Sequence, residues 1–220
     1  MKPVPLTQQL VDSIREDILS GHYEPHSNLR QDALAEKYGV SRIPVREALL
    51  QLEGEGLVSI QPRRGAIVTP LSLLEVDDVF ALRLLLEIRL YHASAPKLDA
   101  AAIETASEAN QRYRDAIANQ QHAVLGAINA ELHMALYREA PLPTTRQIVA
   151  ALLQTSQRYT RIQLRTDAAL QQSLAEHDQL LQLTRDGNYH AAEALLDEHI
   201  RHVWHSLREM ITAQSHLHTG

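Results

Sequence analysis

Histidine and arginine are the residues that could do chemistry in this 220-residue chain, and their distribution is uneven. Of twelve histidines, two precede residue 71 and ten follow it. Sorting the ten by neighbours three and four positions away separates them. His133 keeps company with Asn129, Ala130, Leu136 and Tyr137, His177 with Leu174, Leu180 and Leu181, and His199 with Leu195, Leu196 and Val203. At helical spacing these three point inward on three different helices. His202 and His205 share their face with charged residues and are expected in solvent, and His92 is ambiguous.

Three imidazoles converging from three helices suit a divalent ion, zinc first, with nickel and manganese also fitting. Asn129 is one turn before His133 and could add an oxygen. A wholly neutral ligand set leaves the metal's positive charge in place, and that charge attracts a carboxylate. The same spacing also suits hydrogen-bonded core histidines, so spacing alone leaves both readings open. Arg83 likewise has two readings. Its neighbours Val79, Phe80 and Leu86 are apolar and Glu87 follows one turn on. It either forms a buried pair with Glu87 or offers its fork to a ligand carboxylate.

A second group of residues points to nucleic acid. Arg42 and Arg46 lie four apart, on the face opposite Val45, Leu49 and Leu52. An arginine fork matches O6 and N7 of guanine. Pro44 falls in the first turn of the same segment, where a missing N–H costs little. Arg63-Arg64-Gly65 would sit at a hairpin tip, against phosphate or the minor groove.

The elements that must position these groups follow from the pattern. Leu10, Val11, Ile14, Ile18 and Leu19 predict a first helix, with Thr7 as its cap and Gly21 as its stop. Residues 22–28 read as turn. A short helix over 31–38, a tight turn at Gly39-Val40 and a helix capped by Ser41 and running to about Glu55 form a helix-turn-helix. Residues 57–60 and 66–68 read as two strands. From Leu73 onward the chain reads as helical, over 73–95, 99–119, 122–138, 144–165, 168–186 and 189–214, with breaks at Pro96, near His122, at Pro141–Pro143 and at Gly187-Asn188. The expected fold is mainly α, an N-terminal winged helix-turn-helix over 1–70 and a C-terminal antiparallel all-α bundle over 71–220, with Ser72 capping the first bundle helix.

Composition is that of an ordinary globular chain, 45% hydrophobic and 22% charged. The net charge is −6, with eight basic against nine acidic residues in 1–70 and thirteen against eighteen in 71–220. Neither part is basic, so DNA contact must come from a local cluster. Absence of cysteine excludes thiolate metal sites and fits a reducing cytoplasm. No apolar run approaches a membrane span, and the N-terminus has no signal-peptide pattern.

Residues 25–68 resemble the DNA-binding domain of the GntR family, most specifically over Gly39-Val-Ser-Arg-Ile-Pro-Val-Arg-Glu-Ala-Leu49 and Glu55-Gly-Leu-Val58. The resemblance implies a dimeric repressor on a short palindromic operator. It places Ser41, Arg42, Pro44, Val45 and Arg46 at the groove, and Arg63, Arg64 and Gly65 in the wing. Gln31 stands where Glu is usual and Ile43 where Thr is usual, and Asp32 adds a negative charge near the DNA side. Residues 73–214 resemble the FCD-type ligand-binding domain of the FadR subfamily, through Arg83-Leu-Leu-Leu-Glu87, Asn129-Ala-Glu-Leu-His133, Glu176-His177 and His199. This second resemblance implies a divalent metal held by Asn129, His133, His177 and His199, and a small organic acid bound by its carboxylate; the Arg83 fork, read from its own neighbours, is an independent candidate for that carboxylate. The family more often has Asp than Asn at the first of these positions.

Two other readings keep the same fold. A metal-dependent hydrolase is disfavoured because there is no His-Glu-x-x-His or Glu-x-x-His pair. A DNA-binding dimer whose helical domain is purely structural would turn the inward histidines into core residues.

Overall fold

The computed structural model describes residues 5–19, 22–54, 56–61, 65–70, 72–163 and 167–217. The chain divides into two compact units, Met1–Leu71 and Ser72–Gly220.

In the first unit the element order is α1 (Leu6–Leu19), β1 (Asn28–Leu29), α2 (Gln31–Tyr38), α3 (Arg42–Gly54), β2 (Val58–Gln61) and β3 (Gly65–Val68). Leu10, Val11 and Ile14 of α1 and Val45, Ala48, Leu49 and Leu52 of α3 bury one face each. Together with Leu29, Leu34, Leu57, Val58, Ala66 and Val68 they form a single core. The alternation in β3 is a strand pattern, with Ala66 and Val68 buried while Gly65 and Ile67 are not. Gly39 ends α2 in the left-handed conformation, φ 64°, and the N–H of Val40 donates to the Ala35 carbonyl at 2.9 Å. That closes the tight turn expected there. Tyr38 and Lys37 both donate to Asp17 of α1, at 2.9 and 2.7 Å.

Two local expectations change. Thr7 does not cap α1, which already begins at Leu6; its hydroxyl donates instead to Glu47 of α3 at 3.0 Å. Residues read as turn include a short strand, β1, paired antiparallel with β3 through Asn28–Ile67 and Leu29–Ala66, so the sheet order is β1-β3-β2. A two-residue strand has no periodicity to betray it, and only its partner makes it a strand. Gly21, the expected stop for α1, lies outside the described residues.

The second unit contains α4 (Leu73–Ser94), a 3-10 turn (Ala95–Lys97), α5 (Ala100–Ala118), α6 (His122–Leu136), α7 (Pro143–Gln163), α8 (Asp167–Arg185) and α9 (Tyr189–Leu217). The boundaries match the sequence expectation to within three residues at each end. Ser72 accepts from the Glu75 N–H at 3.2 Å, and Asp99 from the Ala102 N–H at 2.7 Å, so both helix starts are capped. α4 packs on α7 and α9, α5 on α6 and α8, α6 on α7, and α8 on α9. Packed neighbours joined by short turns run antiparallel. A Cβ at Gly126 of α6 would stand 3.2 Å from Gln157 of α7, so the missing side chain lets these two helices approach closely.

Candidate metal centre and DNA-reading surface

The three inward histidines meet inside the helical unit. His133 of α6, His177 of α8 and His199 of α9 are 0, 0 and 4% exposed. One ring nitrogen of each lies within 4.8 Å of the others. Ring centroids are 5.8 Å apart for His133–His177, 5.5 Å for His133–His199 and 5.0 Å for His177–His199. The i±3 and i±4 sorting therefore found all three. It also placed His202 and His205 correctly in solvent, and the ambiguous His92 is exposed as well.

Two of the three rings are held from behind by carboxylates. His133 Nδ1 is 2.9 Å from Glu87 Oε2 of α4, and His199 Nδ1 is 2.6 Å from Glu176 Oε2 of α8. Burial alone would raise the Glu87 carboxyl, but the Arg83 charge and the His133 bond outweigh it and hold it at about 2. At Glu176, burial is likewise outweighed, chiefly by the His199 bond, and the group sits at about 2. An ionised carboxylate only accepts, so each Nδ1 must carry the proton and donate. That fixes the tautomer and turns the Nε2 lone pair of His133 and of His199 to the other side of the ring. Burial pushes the His133 ring below its ordinary value, and burial together with the His199 and His133 neighbours pushes His177 well below it. Both are neutral at physiological pH, the state in which imidazole is a ligand.

Among the described residues, His133 Nε2 and both ring nitrogens of His177 are buried with no hydrogen-bond partner. Orphaned buried nitrogens are rare and each costs free energy, about 1–3 kcal/mol. A divalent cation is the partner this donor set fits: neutral nitrogens, pre-set tautomers and outer carboxylates. Asn129 is also buried, 9% exposed, one turn before His133 on α6.

Arg83 resolves differently from an open fork. Of its two readings, the buried ion pair is the one present: Nε donates to Glu87 Oε1 at 2.6 Å, and Nη1 donates to Ser156 of α7 at 3.3 Å. Its guanidinium carbon stands 4.9 Å from the Phe80 ring centroid. Tyr137 donates to Glu87 Oε2 at 2.8 Å. Glu87 is thus a buried hub joining Arg83, Tyr137 and His133. Sequence reasoning did not assign this role to Glu87, nor the matching role to Glu176. The signals were present, an acid in the apolar stripe of α4 and an acid adjacent to His177. Glu176 also reaches outward, its Oε1 being 2.9 Å from Nδ1 of exposed His202.

In the first unit, Ser41 just before α3 and Arg42 and Arg46 on it are exposed, with Pro44 half-buried and Ile43 71% exposed. Arg42 Nε is 2.5 Å from Asp32 of α2. Val45 is 0% exposed, so its side chain is not DNA-facing; it anchors α3 in the core. Gly65, expected in the wing, opens β3 and is partly exposed. Its φ is +92° and an added Cβ would stand 2.6 Å from the Leu29 carbonyl oxygen. Glycine there lets β1 pass close to β3, a structural need that the unrecognised strand concealed. Arg63 and Arg64 lie outside the described residues.

A helix-turn-helix backed by a β-hairpin, followed by a six-helix unit with a buried histidine cluster among its described residues, defines a winged-helix regulator with a ligand-binding domain. The sequence model for bacterial regulatory proteins of the gntR family matches residues 6–68, and that for the FCD domain matches residues 78–202. The chain belongs to the GntR family, in its FadR-type form with an FCD domain, and is a DNA-binding transcription regulator rather than an enzyme.

Among curated relatives, the HTH-type transcriptional repressor RspR of Escherichia coli is 22% identical over 94% of this chain and 90% of its own length. The HTH-type regulator YdhC of Bacillus subtilis is 35% identical, but that alignment spans only 39% of this chain and 38% of YdhC. A crystal structure of a GntR-family regulator from Pseudomonas syringae is 28% identical, covering 95% of this chain and 87% of that one, with a TM-score of 0.57. The structure of E. coli McbR/YncC, 20% identical, covers 94% and 99% with a TM-score of 0.63 and supports the fold. No helix among the described residues is long and apolar enough to cross a membrane.

Proposed function

We propose that this regulator is a cytoplasmic homodimeric repressor whose helical domain holds a divalent metal, zinc foremost with nickel or manganese as alternatives, and senses a small organic acid there. The observation that carries this reading is the trio of buried rings whose nitrogens converge, with His133 Nε2 and both nitrogens of His177 lacking a hydrogen-bond partner. His133, His177 and His199 would hold the ion, with Asn129 as a further, weaker ligand than a carboxylate. When bound, the metal supplies a net positive charge at a neutral ligand set and so favours an effector carboxylate. Glu87 and Glu176 orient His133 and His199. Arg83 keeps Glu87 ionised, and an effector carboxylate reaching Arg83 would meet the guanidinium edge not used by Glu87.

On the DNA side, Arg42 and Arg46 read base edges from the exposed face of α3, with Ser41 and Pro44 at the groove and Arg63 and Arg64 on backbone phosphates. A two-fold dimer pairs with a palindromic operator. Repression is supported by the name of the RspR relative. The effector regulates only through a difference in affinity for two arrangements of the protein.

Elemental analysis of protein purified without chelator, wild type beside His177→Ala, tests the metal reading. About one zinc, nickel or manganese ion per chain, lost in the variant, is the expected result. Wild-type protein that takes up no divalent metal even on addition refutes it. Candidate acids are then titrated against the loaded protein bound to its operator, and an acid that binds without changing operator affinity is not the regulator.

A further inference from the structure

The Asp32–Arg42 ion pair sits on the exposed surface of the helix-turn-helix. Asp32 is in the first turn of α2, Arg42 opens α3, and their side chains are 55% and 73% exposed. An ion pair this open to water contributes little to stability, so its value to the fold is small. Its geometry bears on the arginine itself. The closest approach of the pair is Asp32 Oδ1 to Nε, at 2.5 Å, on the inner side of the guanidinium. The two terminal amino groups form the other edge of the same rigid plane, and they can donate in parallel to O6 and N7 of a guanine. A long exposed arginine otherwise samples many rotamers, and ordering it opposes binding.

We propose that Asp32 is a positioning residue for DNA reading: by ion pairing on the Nε side of Arg42 it leaves the terminal pair for guanine and sharpens base discrimination. The inference rests on Arg42 contacting a base. The carboxylate also acts against the wrong sequence. Where Arg42 finds no guanine, Asp32 still brings a negative charge toward a polyanion, which weakens binding to that site.

The test uses the full chain. Wild type, Asp32→Ala, Asp32→Asn and Arg42→Ala each undergo selection from a randomised duplex library. Binding titrations on the selected operator and on non-specific DNA follow, with unfolding midpoints confirming that the surface variants are folded. Wild type is expected to select a guanine at one fixed position of each half-site, and Arg42→Ala to lose that preference. Asp32→Ala should lose roughly 5- to 30-fold of the guanine preference at the same position, while binding non-specific DNA more tightly. Asp32→Asn keeps the shape but removes the charge that makes the pair and should lose the preference to a similar extent.

Equal tightening on all sequences in Asp32→Ala, with guanine preference unchanged, overturns the inference and makes Asp32 a repelling charge only. Loss at a different base pair from Arg42→Ala overturns it too, because Asp32 would then read a base directly. If Arg42→Ala selects the wild-type operator, the reading of Arg42 itself has failed, and that outcome is distinct from the other two.

Discussion

Glu87→Gln is the substitution whose consequences the helical domain defines most sharply. Glu87 is 0% exposed and accepts from Arg83 at 2.6 Å, His133 at 2.9 Å and Tyr137 at 2.8 Å. Glutamine keeps the shape but removes the charge, leaving the Arg83 guanidinium, 3% exposed, without its counter-ion. Breaking one side of a buried pair costs about 3–5 kcal/mol. A glutamine also has one accepting end and one donating end, and Glu87 accepts at both. If the amide oxygen stays with Arg83, the NH2 faces His133 Nδ1 and drives the imidazole proton to Nε2, the nitrogen that faces the cluster. Metal affinity should then fall on the order of 10- to 100-fold.

The single tryptophan, Trp204 of α9, donates to Asp77 of α4 at 2.8 Å and reports unfolding of this domain alone. Urea titration followed by its fluorescence gives the stability change, and competition with a chromophoric chelator gives zinc affinity. A Glu87→Gln protein within about 1 kcal/mol of wild type, with unchanged zinc affinity, would refute both the ion-pair and the orienting roles.

Other expectations follow from the same contacts. His177→Leu removes two buried unpartnered nitrogens, so the chelated variant should be more stable than chelated wild type by about 1 kcal/mol or more, while stabilisation by added zinc disappears. Urea titrations with and without metal check this, and a less stable chelated variant would mean the His177 nitrogens are satisfied. Gly65→Ala should destabilise the DNA-binding head by about 2 kcal/mol or more, through its positive φ and the clash with the Leu29 carbonyl. Circular dichroism melts and operator binding measure that loss, and a melt like wild type would show that β1 can move aside. For the chelated protein, His133 and His177 are depressed below 6.5 in the folded state, so the unfolded chain takes up protons first. Stability should be full above about pH 6.5 and fall as pH decreases, by about 1.4 kcal/mol per pH unit for each proton. The carboxylates of Glu87 and Glu176, held at about 2 against 4.5, add a second loss between those two values. Trp204-monitored urea titrations from about pH 7.5 to about pH 5 test the histidine part, and a flat profile would show that the rings protonate equally in both states.

The sequence by itself determined the helices, the turn at Gly39 and which histidines point inward, because each depends on near neighbours. His133, His177 and His199 carry apolar residues at i±3 and i±4, and a helix turns that spacing into burial wherever the helix lies. Ser72 and Gly39 were legible for the same reason, since caps act within one turn.

Tertiary structure decided what crosses between elements. Glu87 reaches His133 over 46 positions and Glu176 reaches His199 over 23, and no local pattern encodes which acid backs which ring. Arg83 offered two readings until Glu87, Ser156 and the Phe80 ring were seen around it. Val45 carried a family motif and a core position at once, and only the packing of α3 showed which its side chain serves. β1 is a strand solely because β3 lies beside it, and Gly65 is glycine because that strand passes within reach of a Cβ. Spacing along the chain sets the direction of a side chain; what it meets there is set by helix and strand packing over separations that periodicity does not span.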